Sequence, residues 1–66
     1  MTREKIIETL TREKDYNYRM YETYKAMAFE DRHNEVLKDT FCAEANRAFG
    51  RYIGYLDALR MLEELE

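Results

Sequence analysis

Residues 36–65 read VLKDTFCAEANRAFGRYIGYLDALRMLEEL, and placed about 100° apart they form two apolar stripes on opposite sides of one helix. The broad stripe holds Leu37, Phe41, Ala45, Ala48, Phe49, Tyr52, Leu56, Leu59 and Leu62, at the i, i+3, i+4, i+7 spacing of a face that packs into a core. Phe41, Phe49, Leu56 and Leu59 are its expected centre. The narrow stripe holds Val36, Ala43, Gly50, Gly54, Met61 and Leu65, most of them small. A helix on the surface of a monomer needs one stripe only, so the second is read as an oligomer interface, one side of the helix serving its own chain and the other a neighbour.

Toward the N-terminus nothing forces a break: the chain has no proline, and its first glycine is Gly50. Thr2 is placed to cap a helix, with Glu4 in the first turn where a carboxylate suits the positive end of the dipole. Ile6, Leu10, Asn17, Tyr21, Tyr24 and Ala28 then share one face, flanked by Ile7, Met20 and Met27. The face turns polar at Glu13, Lys14 and Asn17, where a kink, a wet patch or a break near Asp15 would each fit; a continuous or slightly bent helix is the expectation. Charged and amide side chains with the single histidine fill residues 30–35, which places a turn at about 31–34. Asn34 suits either a left-handed stop or a new N-cap. Two long helices joined by a short turn make an antiparallel αα-hairpin, so the expected fold is all-α, one helical-hairpin domain over residues 1–66.

A chain of 66 residues is near the lower limit for folding alone, and two helices share a single line of contact. Cys42 is the only cysteine, so no intrachain disulfide can reinforce the fold; at the border of the broad stripe it reads as a small core residue. The thin core and the second stripe both point to a dimeric four-helix bundle or a larger helical oligomer. With no charged-then-apolar leader and no apolar run of bilayer length, the chain reads as soluble, cytoplasmic and without a membrane partner, and the Met1-Thr2 opening reads as an intact start. Its formal charge is −3, and the excess of acid over base lies in the second half, the first 33 residues being balanced. No lysine-arginine cluster is present to follow a phosphate backbone, which speaks against nucleic acid.

Candidate chemistry is sparse. Glu30 and His33 form the Glu-x-x-His spacing of carboxylate-bridged di-iron bundles. They sit at the expected turn rather than on an inward helix face, so no metal site and no cofactor are expected. There is no serine, and the histidine has no nucleophile beside it in sequence; two helices also do not readily enclose a pocket that shifts a pKa, so no enzyme is expected. The most distinctive composition is Tyr16, Tyr18, Tyr21 and Tyr24, four tyrosines in nine positions. Tyr21 and Tyr24 belong to the core side, while Tyr16 and Tyr18 project from opposite flanks. Together with Arg19 they have the tyrosine and arginine character of protein-interface hot spots, and are read as a partner-binding set.

In size and hairpin architecture the chain resembles small dimeric RNA-binding regulators of plasmid copy number, a likeness of fold with no motif behind it. The residues themselves point to a non-enzymatic protein-protein interaction and oligomerisation module that self-associates through its second helix. Two alternatives stand beside it. One is a small acidic inhibitor or decoy, of phage or mobile-element type, acting on a host enzyme. The other is an oligomer that holds a small ligand such as a nucleotide between its subunits.

Overall fold

The first helix starts where Thr2, in extended backbone, accepts the Lys5 N–H on its side-chain oxygen at 3.2 Å. That bond satisfies one of the N–H groups a helix start leaves without an internal partner. In the computed structural model, which describes residues 2–65, α1 runs Arg3–Glu30 and α2 runs Glu35–Glu64. The chain is thus the expected all-α hairpin, 49 × 16 × 14 Å, with a long axis that matches about 45 Å for 30 helical residues. No helix of the described residues is long and apolar enough to cross a membrane.

The turn falls at residues 31–34 as the polar run predicts. Asp31 N–H returns to the Met27 carbonyl at 3.0 Å, Arg32 N–H to Phe29 at 3.2 Å, and Asn34 N–H to Asp31 at 2.9 Å. Arg32 also donates from Nη1 to the Phe29 carbonyl at 2.9 Å, and its guanidinium lies 4.3 Å from the centre of the Phe29 ring. Asn34 is the N-cap of α2, its Oδ1 accepting the Leu37 N–H at 3.1 Å. No described residue has positive φ apart from or including glycine, so of the two roles open to Asn34 the left-handed stop is not used. At the other end of the hairpin, the last turn of α2 has no basic residue of its own. Arg3 crosses from α1 and donates to the Leu62 carbonyl at 3.3 Å, bringing a cation to the negative end of the helix.

The buried apolar residues of the seam are small: Ala28 from α1 with Ala45 and Ala48 from α2, the last 0% exposed. Among the described residues no large side chain is fully buried. Here the expected core is corrected. Phe49 is 39% exposed, and Phe41, Leu56 and Leu59 are only half-buried. Helices that meet through alanine can approach closely, which leaves little room between them for a phenyl or isobutyl group. The larger side chains of the stripe therefore lie along the two edges of the hairpin, each covering the seam from the side. Cys42 is likewise exposed rather than in the core, because its angle on the helix carries it beyond that edge.

The polar gap in the first stripe proves to be a structural joint, and α1 runs through it without interruption. Asn17 is 3% exposed. Its Nδ2 donates to the Glu13 carbonyl one turn back at 2.8 Å, and its Oδ1 accepts from Arg51 Nε on α2 at 2.8 Å. Both ends of the amide are thereby used, and no described buried side-chain nitrogen or oxygen lacks a partner. A hydrogen bond to a charged donor across a half-dry seam contributes more than one made at the surface.

Two substitutions test this core. Asn17→Ala should cost about 2 kcal/mol, from the lost charged hydrogen bond and the space left behind. Ala48→Leu should cost about 1–3 kcal/mol by overpacking, although it adds apolar volume to a thin core. Urea unfolding followed by circular dichroism at 222 nm reads both, and a stabilised Ala48→Leu would show that the helices are not in close contact there.

Candidate functional site

Two surfaces are left by this packing. The first is the outer face of α2, turned away from α1. Val36, Ala43, Gly50, Gly54, Met61 and Leu65 are all exposed, and Val36, Met61 and Leu65 retain between 63% and 83% of their surface. The hairpin uses none of this face for its own core. A Cβ built on Gly50 or on Gly54 meets nothing within 4 Å. Both glycines have ordinary helical backbone without positive φ, so neither conformation nor internal packing calls for glycine at these positions. On one border Arg47 donates from Nη1 to Glu44 Oε1 one turn away, and Asp57 is exposed on the other. Beside Gly54 the face continues into a shallow groove of about 300 Å³ lined by Leu10, Arg51, Gly54, Tyr55 and Ala58.

The second surface is an aromatic edge. Tyr18 of α1 lies 5.0 Å from Tyr52 and 5.9 Å from Tyr21, ring centre to ring centre. Phe49 closes the group at 4.9 Å from Tyr21 and 5.7 Å from Tyr52. All four contacts are tilted, the geometry in which ring edges meet ring faces. Lys25 Nζ stands 5.1 Å over the Tyr21 ring. At the end of this row a groove of about 480 Å³ is lined by Lys14, Asp15, Tyr18, Arg19 and Tyr52, with the Lys14 and Asp15 side chains paired at 3.4 Å.

The sequence-predicted partner set is therefore divided. Tyr18 and Arg19 share one groove. Tyr16 is exposed as well, but two residues along a helix turn it about 200° from Tyr18, toward the other flank. What sequence reasoning missed is the participation of Phe49 and Tyr52, which it assigned to the core. The angle of Phe49 at the edge of the broad stripe, and the place of both rings opposite the tyrosine run of an antiparallel α1, were the available signal. At the turn, Glu30 is the last residue of α1 and His33 lies beyond it, so the two do not share a helix face; among the described residues no three His, Cys, Asp or Glu side chains are grouped to hold a metal ion.

Comparison of the chain with protein-family models, curated proteins and solved structures finds no match. The reading of these surfaces rests on their geometry.

The two exposed tyrosines should behave differently. Tyr18→Ala removes two ring contacts and should lower stability by about 1–2 kcal/mol, whereas Tyr16→Ala should stay within about 0.5 kcal/mol, as for an isolated surface position. Thermal unfolding of the two variants side by side measures the difference, and equal losses would dissolve the aromatic edge as a unit.

Proposed function

We propose that this chain is a non-enzymatic helical interaction module that self-associates through the outer face of α2 and offers α1 to a protein partner. The observation that carries the reading is the pair of glycines. Each lowers helix stability by roughly 1 kcal/mol relative to alanine, and nothing within the hairpin needs the missing side chain. A second helix backbone lying against the face supplies a reason, since glycine lets it come closer than any other residue allows. Large apolar residues left uncovered on the same face support the same conclusion: Val36, Met61 and Leu65 are hydrophobic surface that association would remove from water. A fold whose buried positions, among the described residues, are three alanines and one asparagine also gains most from a partner that covers its edges.

On this reading α1 contributes recognition. Tyr18 and Arg19 flank one groove, and Tyr16 is exposed beyond it. Tyrosine and arginine combine apolar area with directional hydrogen bonding, the combination enriched where proteins meet.

Gly54→Leu separates a solvent-facing helix side from an interface. On an open surface the change stabilises the chain by about 1 kcal/mol through helix propensity; against a close backbone it clashes and weakens association. Sedimentation equilibrium should find the wild type associated and the variant shifted toward monomer. A monomeric wild type, or a variant both stabilised and equally associated, would sink the proposal.

A further inference from the structure

Along the outer face, positions 43, 47, 50, 54, 57 and 61 alternate spacings of four and three, the a/d periodicity by which one helix follows another over several turns. All six residues are exposed. The order of their chemistry is not arbitrary. Counted outward from residue 52, Gly50 and Gly54 are equidistant, as are Arg47 and Asp57, and as are Ala43 and Met61. Each pair is complementary when one member comes from each of two chains: glycine on glycine, cation on anion, small on large.

We infer that a second copy of this chain packs antiparallel along this face, with the two-fold axis crossing α2 at the level of residue 52. The inference rests on the self-association reading above and assigns its orientation and register. Under this symmetry each contact occurs twice, as an isologous interface requires, so two Arg47–Asp57 pairs frame a central crossing of glycines. Ala43 receives the Met61 side chain, which is 63% exposed in the single chain. Within one chain Arg47 and Asp57 are ten residues apart, about 15 Å along the helix, so their attraction acts between chains only. Asp57 has no ion-pair partner among the described residues. Arg47 holds Glu44 and keeps the rest of its guanidinium donors for a second carboxylate.

Other alignments fit less well. A parallel pair sets Arg47 against Arg47 and Asp57 against Asp57, which repel. Moving the antiparallel axis to between 48 and 49 sets Arg47 against Gly50 and Asp57 against Thr40. Moving it to between 55 and 56 gives Arg47 the carboxylate of Glu64 but sets Asp57 against Gly54. Only the axis at 52 pairs both charges and brings the two glycines together.

The test is charge reversal with mixing, read by sedimentation equilibrium at low ionic strength, where charge contacts are least screened. Arg47→Asp alone should place two carboxylates at each contact, and Asp57→Arg alone two guanidinium groups, each weakening association by about tenfold or more. An equimolar mixture of the two variants should associate to within about threefold of the wild type, because every contact in the mixed dimer again pairs opposite charges. That recovery also shows that both variants are folded. A mixed dimer of Arg47→Asp with wild type that is tighter than the wild-type dimer would point to a parallel pair, in which the wild type already sets like charges together, and would overturn the register. An associated wild type indifferent to both reversals would overturn it too, leaving self-association standing. A monomeric wild type would remove the reading on which the register is built.

Discussion

The burial of three alanines, Ala28, Ala45 and Ala48, between α1 and α2 governs the rest of this molecule. Helices that touch through alanine leave little volume between their axes, so the apolar mass of the broad stripe is displaced to both sides of the seam. Phe41 then stacks beside Tyr24 with ring centres 6.3 Å apart, and Phe49 joins Tyr18, Tyr21 and Tyr52 in the aromatic row. What would be interior in a three-layer protein is here a half-exposed border.

A narrow seam also raises the cost of a wrong polar group, because a few buried residues carry the whole core. Asn17 is tolerated because the Glu13 carbonyl and Arg51 take both ends of its amide. The pairing links positions 34 residues apart in sequence and holds only when the helices are in one axial alignment. Sliding α2 by a turn would strand the amide against apolar side chains, at the cost of an unmade hydrogen bond. Buried polar residues set register in this way in coiled coils, at some loss of stability. At the open end of the hairpin, Arg3 on the Leu62 carbonyl adds a second contact that spans the two helices.

Stability and function meet at the surfaces this arrangement leaves. α1 turns a charged side outward, with Glu8, Arg12, Asp15 and Glu22 exposed, as expected of a helix face in water. α2 turns outward glycine, alanine, valine, methionine and leucine, with Arg47 and Asp57 at the borders. The proposed pairing of chains would explain this asymmetry between the two outer faces, since a second backbone would cover the less charged one. The aromatic edge lies off that face, so the proposed pairing would leave Tyr18 and Arg19 of α1 uncovered.

Much of this was legible in the residues, and the division follows from range. Caps and turn depend on hydrogen bonds between neighbours in sequence; Thr2 to Lys5, Asn34 to Leu37 and the polar run at 31–34 could be read directly. Two long helices in a hairpin followed from periodicity and from the absence of proline. Which residues are buried was not legible, because a helical stripe gives direction but not depth. Depth depends on the distance between the two axes, and that distance is set by alanines from both helices acting together. The sequence marked Asn17 as an anomaly; only the folded chain brings Arg51 to it. Likewise the glycines at 50 and 54 stand out in any reading, but that nothing inside the hairpin needs them is a fact of three dimensions, since it depends on what the rest of the chain leaves empty around them.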